Sequence, residues 1–263
     1  MSRRSFHSSL VAVVALTALM SLASCVAAPG NIPTHSTSPR PMSSTVPGPT
    51  PTPIPTFDSR ALSIDDATSL WVVVDKVRSL QPASFVPPDL VLPSVPHISS
   101  SASSVMRAEA ATALQSMFAA AAAEGSGAMQ IQNAYRSFVV QTNTHNSLVR
   151  SLGEATADAQ SARPGYSEHQ TGLAVDIAAS PSRCDIQACF GETPQGIWLA
   201  ANAYRFGFVL RYPPDKSAVT GYVYEPWHYR YVGAALATEL HESGPTTLEE
   251  FFELPGAPDY DDE

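Results

Sequence analysis

Ser167-Glu168-His169-Gln170-Thr171-Gly172-Leu173-Ala174-Val175-Asp176-Ile177 is the stretch on which the reading of this chain turns. Its second half, Leu173 to Ile177, is a short apolar strand interrupted by a single acid, Asp176. A carboxylate in a buried strand costs several kcal/mol without a partner, so Asp176 is to be paired or bound to a metal. His169 stands just ahead of that strand. Downstream, Glu225-Pro226-Trp227-His228-Tyr229 sets a further acid and a second histidine in an aromatic run. Taken singly, each has an ordinary reading: an aspartate satisfied by backbone or arginine, and a packed aromatic strand with a capping glutamate. Together they supply two imidazoles, one carboxylate and one spare acid. A catalytic zinc takes three protein ligands and keeps a fourth position open, and a carboxylate off the metal serves as base. Glu225 reaches such a site if the turn to His228 is tight. Glu168 is its rival, but along an extended segment its side chain points away from that of His169. Residue chemistry by itself leaves the metal centre and the packed polar cluster both open.

Around this stretch the pattern mixes helices and strands without regular βαβ spacing, which predicts an α+β fold. Ser104 is positioned to cap a helix from Val105 to about Ala123, with Leu114, Met117 and Phe118 on its buried stripe. Met129 to Asn133 alternates like a strand, and Ser137 to about Leu152 reads as a helix. Thr193-Pro194 starts another helix, with Pro at the first helical position, ending at Gly207. Phe208 to Arg211 and Trp227 to Tyr231 read as strands, and Ala234 to Ser243 as a last helix.

The chain begins as an export signal. Arg3 and Arg4 precede the apolar run Leu10–Met20, which is too short for an ordinary transmembrane helix. Leu22-Ala23-Ser24-Cys25 follows and resembles a bacterial lipoprotein box. It implies cleavage before Cys25, lipid on that cysteine, and a location on the outer face of the cytoplasmic membrane, facing the cell wall. Residues 26–60 hold nine prolines among Ser and Thr. Such a segment is a linker, reaching about 30 Å as a coil and about 110 Å when extended. The expected organisation is a signal at 1–24, lipidated Cys25 and linker at 25–60, a folded domain at 61–248 and an acidic, peripheral tail at 249–263. The net charge of −9 excludes nucleic-acid binding by charge. Cys184 and Cys189 are the other two cysteines; in an exported chain they are expected to pair as a disulfide near the site.

Ser-x-His-x6-Asp followed downstream by Glu-x-x-His resembles the VanY-type D-alanyl-D-alanine carboxypeptidases. Their zinc peptidase superfamily includes VanX dipeptidases, L,D-carboxypeptidases and the hedgehog-like fold. The likeness also runs through Val86-Pro87-Pro88-Asp89-Leu90, Asn133-Ala134-Tyr135-Arg136-Ser137 with Gln141, Pro164-Gly165-Tyr166, and Gly207-Phe208-Val209-Leu210-Arg211-Tyr212. It continues past Glu225 to Arg230-Tyr231-Val232-Gly233. It covers about residues 70–245, in the family's order. The resemblance implies a small mixed, mainly antiparallel sheet with helices on one side. It implies zinc on His169, Asp176 and His228, with Glu225 as general base and Arg136 facing the oxyanion. Ser167 and Gln141 match positions that hold the peptide's C-terminal end, with Tyr135 and Trp227 as further substrate contacts. The implied reaction removes the terminal D-alanine of peptidoglycan stem peptides by a monomeric enzyme. Alternatives are L,D-carboxypeptidase action on tetrapeptides and a non-catalytic wall-binding lipoprotein. One departure stands out: Asn133-Ala134 replaces the frequent Ser-Gly or Ser-Ala.

Overall fold

The computed structural model describes residues 57–244 and 247–261. The signal segment, Cys25 and most of the linker lie outside the described residues. No described helix is long and apolar enough to cross a membrane.

In chain order the elements are β1 (Leu90–Val91), β2 (Met106–Arg107), α1 (Ala108–Ala123), β3 (Ala128–Asn133), α2 (Phe138–Leu152) and α3 (Glu154–Gln160). Then come β4 (Ala174–Ser180), α4 (Pro194–Asn202), β5 (Phe208–Leu210), α5 (Ser217–Thr220), β6 (His228–Tyr231), α6 (Ala234–Ser243) and α7 (Leu248–Phe251). β1 and β2 form a small antiparallel pair. The main sheet has the order β3-β4-β6-β5, and each neighbouring pair is antiparallel. This is the α+β architecture expected, with the sheet antiparallel throughout.

Strand alternation sorts the sheet into two unlike faces. Val175, Ile177 and Ala179 of β4 and Tyr229 and Tyr231 of β6 join Leu114, Met117 and Phe118 of α1 and Leu199 of α4 in one apolar core. Leu114 is fully buried there, and its truncation to alanine would cost about 2–5 kcal/mol. The residues between them, Asp176 of β4 and His228 and Arg230 of β6, lie on the opposite face and are also buried. A polar face can be buried this way only if its groups are paired.

Most helix limits follow local chemistry. Ser137 caps α2 through Val140 N–H, and Thr193 caps α4 through Gly196 N–H. The last turn of that second run, Ala203–Phe206, tightens to 3-10 before Gly207 at φ 81°. A Cβ on Gly207 would stand 2.8 Å from the Tyr231 ring, so the position admits no side chain. α1 departs from the expected cap. Ser104 Oγ instead donates to Ser100 O, and the helix starts at Ala108. Residues 106–107 are taken by pairing with β1, which a cap signal cannot foresee.

Both domain limits move outward. Phe57 stacks on Trp71 at 5.5 Å, ahead of the expected start at Ala61. The segment after 248 is packed, correcting the peripheral acidic tail. Glu249 and Ala257 are fully buried, Lys76 Nζ donates to Pro258 O at 2.9 Å, and Arg163 N–H donates to Tyr260 Oη at 2.7 Å. Glu249 looked solvent-facing because its partner Arg211 is remote in sequence, whereas Glu250, Glu253, Asp259 and Asp261 are exposed as expected.

Candidate metal centre

The register of β4 against β6 sets Asp176 directly opposite His228, so both side chains rise from the same face. His169 arrives from Glu168–Thr171, a 3-10 turn that Gly172 ends in the left-handed region. Gln170 anchors that turn by donating to Ala83 O and Phe85 O, and Thr171 Oγ1 donates back to Glu168 O at 2.6 Å.

Three donor atoms converge. His169 Nε2 is 3.3 Å from Asp176 Oδ2, and His228 Nδ1 is 3.2 Å from Asp176 Oδ1. One ligand atom from each residue lies within 4.8 Å of the others. The remaining ring nitrogens are engaged behind: His169 Nδ1 contacts Ala134 O at 2.5 Å, and His228 Nε2 contacts Glu168 Oε2 at 3.3 Å. Each ring thus has its outer nitrogen oriented by an oxygen acceptor while the inner one faces Asp176, an arrangement typical of metal-binding histidines. Asp176 Oδ1 is buried and makes no bond of proper hydrogen-bond geometry, although His228 Nδ1 is close. An orphaned carboxylate oxygen facing two imidazoles fits a divalent cation of the zinc class. The departure at Asn133-Ala134 leaves this intact, because the contact to His169 is made by a backbone carbonyl.

Charge follows the same layout. Burial works to raise the Asp176 pKa, but the His169 and His228 rings override it and hold the carboxyl below the usual range. Burial pushes His169 down, toward the neutral form that binds metal. Burial also opposes charge on His228, yet the nearby Asp176 and Glu168 carboxylates carry it up to about 9.

Glu225 lies at the same centre. His228 N–H donates to Glu225 O at 3.1 Å, closing the tight turn that the spacing required. Glu225 Oε2 is 3.8 Å from His228 Nδ1. Burial, reinforced by Asp176 and Glu168, raises the Glu225 pKa to about 8 against the pull of His228 and Arg136. Glu168 differs. Its segment is a 3-10 turn and not extended, so it turns inward behind His228 instead of pointing away. Burial raises its pKa, but Arg211, Arg230 and His228 prevail and keep it ionised.

A cleft of about 540 Å³ opens over these groups. Arg136, Ser167, Glu225, Trp227 and the three converging residues line it. Ile186, Gln187 and Ala188 form part of its wall, on the loop closed by the Cys184–Cys189 disulfide. Gln141 and Tyr135 are not among its lining residues. Gln141 is fully buried, accepts from Arg136 Nη1 at 3.0 Å, and donates to Ser161 Oγ and Ala162 O. The expected contact between Gln141 and a peptide is therefore corrected to support of Arg136.

The profile of the VanY family, D-alanyl-D-alanine carboxypeptidase, matches residues 103–234. YodJ of Bacillus subtilis, assigned as a carboxypeptidase, is 39% identical over 193 residues, 73% of this chain and 70% of YodJ. The chain belongs to the VanY family. Among solved structures, the LdcB LD-carboxypeptidase superposes with a TM-score of 0.66 at 39% identity, covering 71% of this chain and 87% of LdcB. A mutant of the vancomycin-resistance D,D-pentapeptidase VanY, in complex with Zn(II), gives 0.57 at 34% identity, covering 70% and 98%.

In this VanY-family chain the residues that sequence reasoning missed are those behind the metal set. Arg230 carried a signal: two residues from His228 on a strand, it must share that face. Arg211 carried only its place in the Gly207–Tyr212 run, and Glu249 carried none, since their partners are distant in the chain.

Proposed function

We propose that this chain is a zinc carboxypeptidase that removes the terminal D-alanine from peptidoglycan stem peptides. The observation that carries the reading is the convergence of His169, Asp176 and His228 with Glu225 beside them at the floor of one cleft. His169 Nε2, an Asp176 oxygen and His228 Nδ1 would hold the metal. A zinc ion there supplies a Lewis acid and lowers the pKa of water. Glu225 takes a proton from the water that attacks the scissile carbonyl, then returns it to the departing amine. Burial raises this carboxyl to about 8 in the metal-free cleft, and a divalent cation beside it would draw that value back down toward the ionised form a base needs. Arg136 faces the same cleft as a permanent cation, with its guanidinium pinned by Gln141, and stabilises the developing oxyanion. Ser167 and Trp227 line the peptide's path.

Incubating the purified protein with pentapeptide and tetrapeptide muropeptides, with and without chelator, tests this by product mass. Loss of one D-alanine from the pentapeptide alone, abolished by chelator, is the expected result; no chelator-sensitive product would refute it. The second reading is L,D-carboxypeptidase action on tetrapeptides, favoured by the higher TM-score to LdcB. We also propose that Cys25 is lipidated and tethers the domain outside the membrane. A Cys25→Ser chain should move from the membrane fraction to the medium, and unchanged fractionation would exclude the anchor.

A further inference from the structure

Behind His228 lies a closed set of charges that reaches the C-terminal segment. Glu168 Oε1 accepts from Arg211 Nε at 2.9 Å and Arg230 Nη1 at 2.8 Å. That leaves Oε2 to face His228 Nε2 at 3.3 Å. Arg211 directs its other two nitrogens at Glu249: Nη1 to Oε2 at 2.8 Å and Nη2 to Oε1 at 2.5 Å. Arg230 is fixed separately by Leu70 O and Val72 O. The four charged side chains are at most 1% exposed, two acids against two bases. Glu249 lies beyond residues 103–234, where the family profile matches.

The fork of Arg211 explains what Glu249 does. A guanidinium can pair two nitrogens with one carboxylate, and it takes the best bidentate partner within reach. Glu249 holds the guanidinium end-on through one N–H of each Nη, and in that pose Arg211 donates only its Nε–H to Glu168, at Oε1. With Glu249 neutralised, the bidentate partner left is Glu168 itself. Its Oε2 would then turn from His228 to Arg211, and the imidazole would lose the acceptor that orients it.

We propose that Glu249 is a positioning residue for the metal ligand His228, acting through Arg211 and Glu168, so that the C-terminal segment is a working part of the metal centre. The proposal rests on the metal assignment made above. Partners that orient metal-binding histidines typically govern about 10–100-fold in metal affinity.

The test uses the full chain. Zinc affinity is measured by chelator competition for the parent, Glu249→Gln and Glu249→Asp, and the imidazole N–H resonances of the zinc-loaded proteins are recorded. Glu249→Gln puts an NH2 group against one Nη of Arg211. It should weaken zinc binding about tenfold and shift the His228 Nε2–H signal, with the circular dichroism spectrum unchanged. Glu249→Asp keeps the charge and should restore most of the affinity. Parent-like affinity and an unmoved imidazole signal in Glu249→Gln would overturn the proposal. If Glu249→Gln does not fold, the parent decides through reciprocity of coupling. Zinc loading should slow hydrogen exchange at the Phe251, Phe252 and Leu254 amides beyond the change in α1, and equal changes would overturn it. A parent that binds no zinc would instead defeat the metal assignment.

Discussion

Glu168 and Glu225 stand on either side of His228, and replacing each by glutamine should give opposite results. The Glu168 carboxylate is buried against Arg211, Arg230 and His228. Neutralising it leaves the buried Arg230 guanidinium with backbone carbonyls in place of a carboxylate, and Arg211 with Glu249. Removing one member of a buried ion network typically costs about 3–5 kcal/mol. For a domain of this size that lowers the melting temperature by about 10 °C. Glu225 works the other way in chelated protein. Its folded pKa of about 8 lies above the ordinary 4.5, so between those values the folded state keeps a proton that the unfolded state has lost. Stability therefore falls as pH rises through that window, by about 3 kcal/mol at pH 7. Glutamine is neutral in both states and removes this slope. Thermal melts in chelator at pH 5 and 7.5, zinc titrations and turnover separate the two. Glu168→Gln should lose stability and zinc affinity together. Glu225→Gln should be at least as stable as the parent at pH 7.5, bind zinc, and lose turnover. A Glu225→Gln protein as destabilised as Glu168→Gln, or one that kept normal turnover, would refute the division of roles.

Zinc binding should release protons. At pH 7 the metal-free site holds one on His228, with its pKa up at about 9, and one on Glu225, up at about 8. Calorimetry in buffers of different ionisation enthalpy should show about two protons released at pH 7 and few above pH 9; none at pH 7 would contradict the assignment. Gln141→Leu deletes the acceptor that pins Arg136, so kcat should fall several-fold with zinc affinity unchanged, and an unaltered kcat would remove Gln141 from this role. Opening the Cys184–Cys189 loop by a double serine replacement should raise KM and spare kcat, because Ile186 and Gln187 form cleft wall and supply neither a metal donor atom nor the base. A loss confined to kcat would place that loop in the chemistry instead.

The metal set was legible because ordered local motifs resembled a family; the chemistry of its members alone left a packed polar cluster equally open. Asp176 is an acid in an apolar strand, and His228 sits in an ordered aromatic motif. The helix caps at Ser137 and Thr193 were legible because they are made within three residues. The cap assigned to Ser104 failed where a strand pairing between distant residues competed for the same backbone.

By itself the sequence determined the α+β elements, the family resemblance and the chemical types at the site, because periodicity and motif spacing are local properties. The tertiary structure alone decided which nitrogen of each histidine faces inward and that Glu168 turns behind His228. It also moved Gln141 from peptide contact to support of Arg136, and brought Glu249 to Arg211. Those outcomes depend on groups that burial forces together. A buried charge must find its partner wherever the fold brings one, and sequence distance places no limit on that.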